Sequence, residues 1–151
     1  MKKCVLPPTS KKASLNTCGK VNRKIRRATI SCIDQYKDGS PDLLSDKIHK
    51  LEHEWDTERV LETTAASAVL LGSILAFQKK KCCYSCLTGT VGSFLLLHAL
   101  QGWCPTLPII RCMGVRTAEE IFNEKTVFKM VRGDFSGNTG EAERMLDIAE
   151  K

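Results

Sequence analysis

The sequence lacks charge over a long central stretch. Residues 63–110 contain no acidic residue, and three consecutive lysines at 79–81 are their only basic residues. Such a block excludes uniform disorder and a collagen-like composition. The sequence also has no Gly-rich phosphate loop, no Ser/His/Asp order and no strand-rich region that would hold a catalytic sheet. We therefore expect no enzymatic activity, no metal site and no cofactor.

The first 33 residues lack acidic residues altogether and contain nine lysines or arginines. No apolar segment follows the first lysines, so a secretory signal is not expected, and the eight cysteines do not indicate a disulfide-stapled secreted fold. Residues 1–40 are predicted to form a basic, weakly ordered arm with a short helix over 21–33. Its charges suit anionic lipid headgroups or nucleic acid. Because no groove-reading module accompanies them, nucleic acid is not an expected partner.

Two uncharged segments on either side of the lysines decide the fold. Residues 63–77 and 82–110 contain no Asp, Glu, Lys or Arg, and a membrane-spanning helix needs about 20 mostly apolar residues. The competing interpretation is a soluble helical hairpin, but neither segment has the polar face that such a hairpin would need. The sequence therefore predicts membrane spans at about 61–78 and 84–102.

Helical patterns flank the two spans. Apolar residues from Leu44 to Trp55 repeat with helical spacing, which predicts an amphipathic helix over 43–59 that continues without a break into the first span. A capping box that begins at Thr117 predicts a further helix over 117–132. The predicted fold is all-α: a two-helix transmembrane hairpin preceded by an amphipathic helix and followed by one or two short cytoplasmic helices. The hairpin domain is predicted over 41–135, and a tail with a short helix over 136–151.

Small residues recur every four positions in both spans. The stripe of the first span contains Ala68, Gly72 and Ala76, and that of the second contains Ser85, Gly89 and Ser93. Such stripes let helix backbones approach closely in lipid. They serve either the packing of one hairpin or dimerisation through the second stripe. Because a lone hairpin leaves much small-residue surface facing lipid, we expect self-association.

The distribution of basic residues favours both termini in the cytoplasm. Seven lysines or arginines lie close to the spans in the flanking segments 43–59 and 111–130, against three in the loop between the spans. Cytoplasmic segments carry the excess of such residues. The density of the three-lysine loop is the argument for the opposite orientation.

Three cysteines are candidates for redox or sulfur-acceptor chemistry. Cys83 and Cys86 form a CxxC at the start of the second span, where a redox pair is possible. Cys104 lies where the chain leaves the membrane and could accept sulfur from a partner. The alternatives are incidental thiols near the loop and, for Cys104, a small residue packed at a helix end.

The start of the first span and the end of the second lie on the side of the chain termini, which we call the tail side. Three polar residues lie close to these tail-side ends: Glu62, His98 and Gln101. Intramembrane ionisable residues are candidates for function by default. Their position near the membrane surface favours a structural role, either as a snorkelling pair of His98 and Gln101 or as an interhelical hydrogen bond.

Several motifs resemble the YgaP-like transmembrane domain family, a bacterial domain of unknown function. The most specific are Trp103-Cys104-Pro105 and Gly114-Val115-Arg116-Thr117, and the resemblance covers about residues 46–135. It implies a helical hairpin in the bacterial inner membrane. Some members of this family are fused to a rhodanese, for which this chain has no strand pattern. Among the candidate residues, Cys104 and His98 carry over as motif positions.

Together these patterns predict a non-enzymatic module of the bacterial inner membrane that self-associates as a homodimer. Membrane lipids and a cytoplasmic protein are its candidate partners. The alternative is a membrane redox or sulfur-handling protein that uses Cys104 or the Cys83/Cys86 pair.

Overall fold

The computed structural model describes residues 8–79 and 82–135, and these residues form helices and turns without a β-strand. This confirms the all-α class. After a 3-10 turn at Thr9–Lys11, the helices are α1 (Lys12–Leu15), α2 (Gly19–Tyr36), α3 (Pro41–Glu52), α4 (Thr57–Lys79), α5 (Cys82–Gln101), α6 (Leu107–Cys112) and α7 (Ala118–Arg132). The predicted helix within the tail 136–151 lies outside the described residues.

The chain breaks its helix just before the first span. The continuous helix predicted over 43–59 is wrong in this respect, because α3 ends at Glu52 and α4 begins at Thr57. The carboxylate of Asp56 accepts a hydrogen bond from the backbone N–H of Arg59 at 2.7 Å, which satisfies one of the free donors at the start of α4. A short acidic side chain therefore begins a new helix where apolar periodicity alone predicts continuation.

Both long helices expose their apolar side chains. Helix α5 and a stretch ending at Lys79 are long and apolar enough to cross a membrane, and their most apolar windows are only 6% and 11% buried within the chain. Leu70, Leu71 and Leu96 are exposed, and Phe77 is 87% exposed. The core helix of a soluble protein would bury such residues, whereas a lipid-facing helix leaves them outside. The structure therefore has the predicted pair of spans, and α4 packs along α5 as a hairpin.

The chain divides into two compact units. The described residues of the first lie within Met1–Ile25 and Trp55–Glu119, so it contains both spans. Its buried cluster consists of Ala13, Leu61, Cys104, Leu107 and Ile110. This division differs from the predicted boundaries of 1–40 and 41–135, because residues 8–25 pack with the hairpin instead of forming a separate arm.

The second unit lies within Arg26–Glu54 and Glu120–Lys151. Its core contains Leu44, Ile48, Leu51, Ile121 and Phe128, with Cys32, Ile33 and Tyr36 packed against it. The ring of Tyr36 meets that of Phe128 edge-on at 6.4 Å. The regularly spaced apolar residues of α3 therefore pack in the core of the second unit.

Candidate functional site

The stripe of small residues on α4 is used within the hairpin. Gly72 is buried, and a Cβ atom at this position would lie 2.7 Å from Oγ1 of Thr88 on α5. Ala68 and Ala76, one turn away on either side, are half-buried. The absence of a side chain at Gly72 therefore allows the two helices to approach at Thr88.

The stripe on α5 has no such use in the described part of the chain. Ser85, Gly89 and Ser93 are all exposed. Apart from its chain neighbours and the adjoining backbone of its own helix, a Cβ atom at Gly89 would have no described atom within 4 Å, and the same holds for Gly92. The hydroxyl of Ser93 donates to the carbonyl of Gly89 at 2.9 Å, which satisfies it within its own helix. We call Ser85, Gly89 and Ser93 the open α5 face.

The N-terminal segment covers the tail-side end of the hairpin. Gly102 has a φ of 74°, and a Cβ atom there would lie 2.6 Å from Cβ of Lys12 and 2.8 Å from its backbone. The side-chain amide of Asn16 donates to the carbonyl of Gln101 at 3.0 Å. Lys12 also forms an ion pair with Glu58 at 3.3 Å. Residues 12–16 are therefore docked onto the end of α5, where the sequence predicts a weakly ordered arm.

Arg111, which is buried, forms hydrogen bonds with the same N-terminal segment. Its side chain is fully buried. Nη2 donates to Oδ1 of Asn22 at 2.9 Å, Nε donates to Oγ1 of Thr17 at 3.3 Å, and Nη1 donates to the carbonyl of Val115 at 2.9 Å. Because hydrogen bonds to a charged donor are among the stronger ones, these contacts fix residues 17–22 against α6. Arg111 is thus a structural residue and is not available to membrane phosphates.

The predicted polar candidates do not form a cluster of hydrogen-bonded side chains. His98 is 4% exposed, and neither ring nitrogen has a hydrogen-bond partner among the described residues. Gln101 and Glu62 are exposed. The structure therefore supports neither a His98–Gln101 pair nor an interhelical hydrogen bond of His98 with Glu62.

Cys104 is buried, at 6% exposure, and its Sγ lies 3.1 Å from Oγ1 of Thr106. It lies at one end of an open groove between α4 and α5, which has a volume of about 260 Å³ and almost entirely apolar walls. It belongs to the buried cluster of the first unit, together with Leu61 and Ala13. The burial of Cys104 matches a side chain packed at a helix end.

The cysteines near the loop are exposed, but sulfur proximity does not follow the CxxC. Sγ of Cys82 lies 3.9 Å from Sγ of Cys86, one helical turn away, and Cys83 is exposed beside them. Within residues 8–79 and 82–135, no three His, Cys, Asp or Glu side chains converge as metal ligands. The thiol contact that the structure shows is therefore between Cys82 and Cys86.

The sequence reasoning missed the contacts that three structural residues make. They are Arg111, Gly102 and Thr57. The hydroxyl of Thr57 donates to the carbonyl of Arg116 at 2.8 Å, and the backbone N–H of Thr57 donates to the same oxygen. A signal was present for Arg111, since it is the one charged residue in the apolar segment 107–113. Glycine directly after a helix is likewise typical of a left-handed cap.

The exposed apolar helices, the glycine contact between them and the paucity of charge define an all-α membrane protein built on a helical hairpin. Residues 56–120 match the family model described as inner membrane protein YgaP-like, transmembrane domain. This confirms the resemblance over α4, α5, α6 and the start of α7. Neither a curated protein nor a solved structure matches the chain. The segment 8–55, which contains α1, α2 and α3, lies outside the match.

Proposed function

We propose that this protein is a non-enzymatic module of the bacterial inner membrane that self-associates through the open α5 face and organises a cytoplasmic partner. The observation that supports it is the unequal use of the two stripes. Gly72 already packs against Thr88, whereas Gly89 meets no described residue. In lipid, close helix approach at small residues is a main source of association. A second copy is the occupant that such an approach would favour.

The packing test compares two substitutions on neighbouring positions of α5. Gly89→Leu places a large side chain on the open α5 face. Thr90→Leu places the same side chain about 100° further around the helix, at an exposed residue whose hydroxyl bonds only to its own helix. In detergent or nanodiscs, we expect Gly89→Leu to weaken the dimer by about tenfold or more and Thr90→Leu to leave it unchanged. A monomeric unmodified protein, or equal effects of the two substitutions, would reject the proposal.

The proposed orientation places both termini in the cytoplasm and the loop between α4 and α5 outside. It rests on the excess of basic residues in the flanking segments. Because Cys104 is buried, Cys112 is the better reporter on the tail side, where it is exposed. An impermeant maleimide applied to intact spheroplasts should label Cys82 and Cys86 and label Cys112 only after permeabilisation. The reverse pattern would invert the orientation.

A second candidate function, redox chemistry at the loop, is favoured by one distance. Sγ of Cys82 and Sγ of Cys86 are 3.9 Å apart and both are exposed. A small disulfide reagent would oxidise the two thiols to one disulfide and be reduced to two thiols itself. Peptide mass spectrometry after mild oxidation should then show a Cys82–Cys86 bond with the loss of two hydrogens. If Cys82→Ser, Cys83→Ser and Cys86→Ser have the same growth phenotype as the unmodified protein under oxidant stress, this candidate is rejected.

A further inference from the structure

We infer that one exposed basic face of α2 binds the phosphate-bearing headgroups of anionic phospholipids in the leaflet on the tail side of the hairpin. We call Lys20, Arg23 and Lys24 the basic α2 face. This inference does not depend on self-association, and it concerns a helix outside the segment that matches the family model.

The three cations lie along one side of the helix. Their spacing of three and four residues from Lys20 places them within about 100° of one another around the helix axis. All three are exposed. In the part of the chain that the structure describes, none of the three takes part in an ion pair. The first acidic residue of α2 is Asp34, near the opposite end. No carboxylate of the described residues therefore neutralises the basic α2 face.

The other side of the helix fixes the start of α2 to the spans. Asn22 donates to the carbonyl of Ser14 at 2.8 Å and accepts from the buried guanidinium of Arg111 at 2.9 Å. Ile25 is buried as well. Because Arg111 lies on α6, which packs against α4, these contacts hold Lys20, Arg23 and Lys24 beside the tail-side end of the hairpin.

Aromatic and apolar residues place this end of the hairpin at the membrane surface. Trp55 and Trp103, which flank α4 and α5 on the tail side, are both about half exposed. Tryptophan is enriched at such interfaces. Leu15, on the segment that docks over Gly102, is 64% exposed, as expected for a side chain that enters the boundary between headgroups and acyl chains.

An anionic leaflet is the polyanion that this arrangement favours. The spans hold the basic α2 face within reach of the surface, so the local concentration of lipid phosphate is high without a separate encounter. Nucleic-acid surfaces commonly add aromatic residues for base stacking. The one aromatic residue of α2 is Tyr36, whose ring packs against Phe128 in the second core instead.

The test uses the full chain in detergent and counts bound lipids by native mass spectrometry. Dioleoyl phosphatidylglycerol is the anionic probe and dioleoyl phosphatidylcholine the zwitterionic one, each titrated at low salt. The variant Lys20→Gln/Lys24→Gln removes two charges from the basic α2 face. The matched control Lys37→Gln/Lys50→Gln removes two exposed charges from the second unit. Circular dichroism establishes that both variants keep their helix content.

We expect the protein to bind phosphatidylglycerol in preference to phosphatidylcholine, and the affinity to fall about tenfold or more in Lys20→Gln/Lys24→Gln but less than about twofold in the control. Higher salt should weaken binding of the anionic lipid. Equal affinity for the two lipids, or equal losses in the two variants, would overturn the inference. Displacement of the lipid by millimolar inorganic phosphate would assign the face to free phosphate instead, and tighter binding of duplex DNA or RNA than of lipid would also overturn it.

Discussion

The guanidinium of Arg111 donates a hydrogen bond of 2.9 Å to the side-chain oxygen of Asn22, 89 residues earlier in the chain. One partner follows the second span and the other begins α2, so this contact joins the N-terminal segment to the membrane hairpin. Thr17 reinforces it from the same side. A basic segment that local sequence predicts as an arm is thereby held against the spans.

Arg111→Gln should destabilise the first unit. The shorter neutral side chain cannot reach Asn22, Thr17 and the carbonyl of Val115 together, and it leaves buried polar groups unpaired. We expect a loss of about 2–4 kcal/mol in the free energy of unfolding, measured by thermal or denaturant unfolding in detergent. Arg26→Gln, at an exposed residue, is the control and should change it by less than about 0.5 kcal/mol. Equal unfolding midpoints for the two variants would show that the Arg111 contacts contribute nothing.

Gly102→Ala should displace the N-terminal segment. The new Cβ atom would meet Lys12 at 2.6 Å in addition to the strain of a positive φ. Gly114→Ala is a matched control, because Gly114 also has a positive φ, of 92°, but a Cβ atom there would have no described atom within 4 Å. Both variants should lose about 1–2 kcal/mol from backbone strain, and Gly102→Ala should lose more.

The reactivity of the Cys104 thiol provides a second comparison of Gly102→Ala with Gly114→Ala. Since Ala13 and this thiol belong to the same buried cluster of the first unit, displacement of the segment should expose the thiol. Maleimide should label Cys104 several times faster in Gly102→Ala than in Gly114→Ala. If the labelling rates and stabilities of the two variants match, the close contact between Lys12 and Gly102 does not exist in the membrane.

Gly72→Ala should weaken the hairpin, and a second substitution should restore it. The added methyl group would lie 2.7 Å from Oγ1 of Thr88, which forces the helices apart at a cost of about 1–3 kcal/mol. Thr88→Ala removes that oxygen, so the double variant Gly72→Ala/Thr88→Ala should recover most of the loss. A double-mutant cycle by unfolding in detergent measures the coupling. Strict additivity of the two substitutions would contradict the packing of Gly72 on Thr88.

Cys32 should react with alkylating reagents at higher pH than an ordinary cysteine thiol. Burial raises the pKa of its thiol, the carboxylate of Glu124 raises it further, and Lys47 opposes the shift. Because the raised pKa favours the neutral thiol, its contribution to stability is present below the ordinary thiol pKa and is lost as the pH rises through the raised value. Rates read peptide by peptide by mass spectrometry should give a pH profile for Cys32 that Glu124→Gln moves to lower pH. A profile that Glu124→Gln leaves in place would show that this carboxylate does not face the thiol.

The spans could be predicted from the sequence because length and lack of charge are local properties. The break at Asp56 could not, since one short capping side chain outweighs a continuing apolar pattern there. The docking of the N-terminal segment depends on Arg111 and Gly102, whose partners are far away in the sequence. The CxxC pattern pointed to Cys83 and Cys86 as the thiol pair, whereas the contact in the structure joins Cys82 and Cys86, which lie one helical turn apart.

The candidate association surface, too, could be predicted from the sequence only in part. Sequence spacing identified both small-residue stripes, since recurrence every four residues is visible along the chain. It could not decide which stripe the hairpin itself uses. Only the contact of Gly72 with Thr88 leaves the stripe of Gly89 as the open one.

Cross-linking between copies in native membranes tests the central claim most directly. Cysteines introduced one at a time at Ser85, Gly89 and Ser93, in a chain whose Cys82, Cys83 and Cys86 are serine, should form intermolecular disulfides under mild oxidation. Cysteines at Thr90 and Phe94, on another side of α5, should not. Mass-shifted dimers confined to the open α5 face are the predicted result. Equal cross-linking around the whole helix, or none at Ser85, Gly89 and Ser93, would contradict a hairpin that self-associates through this face.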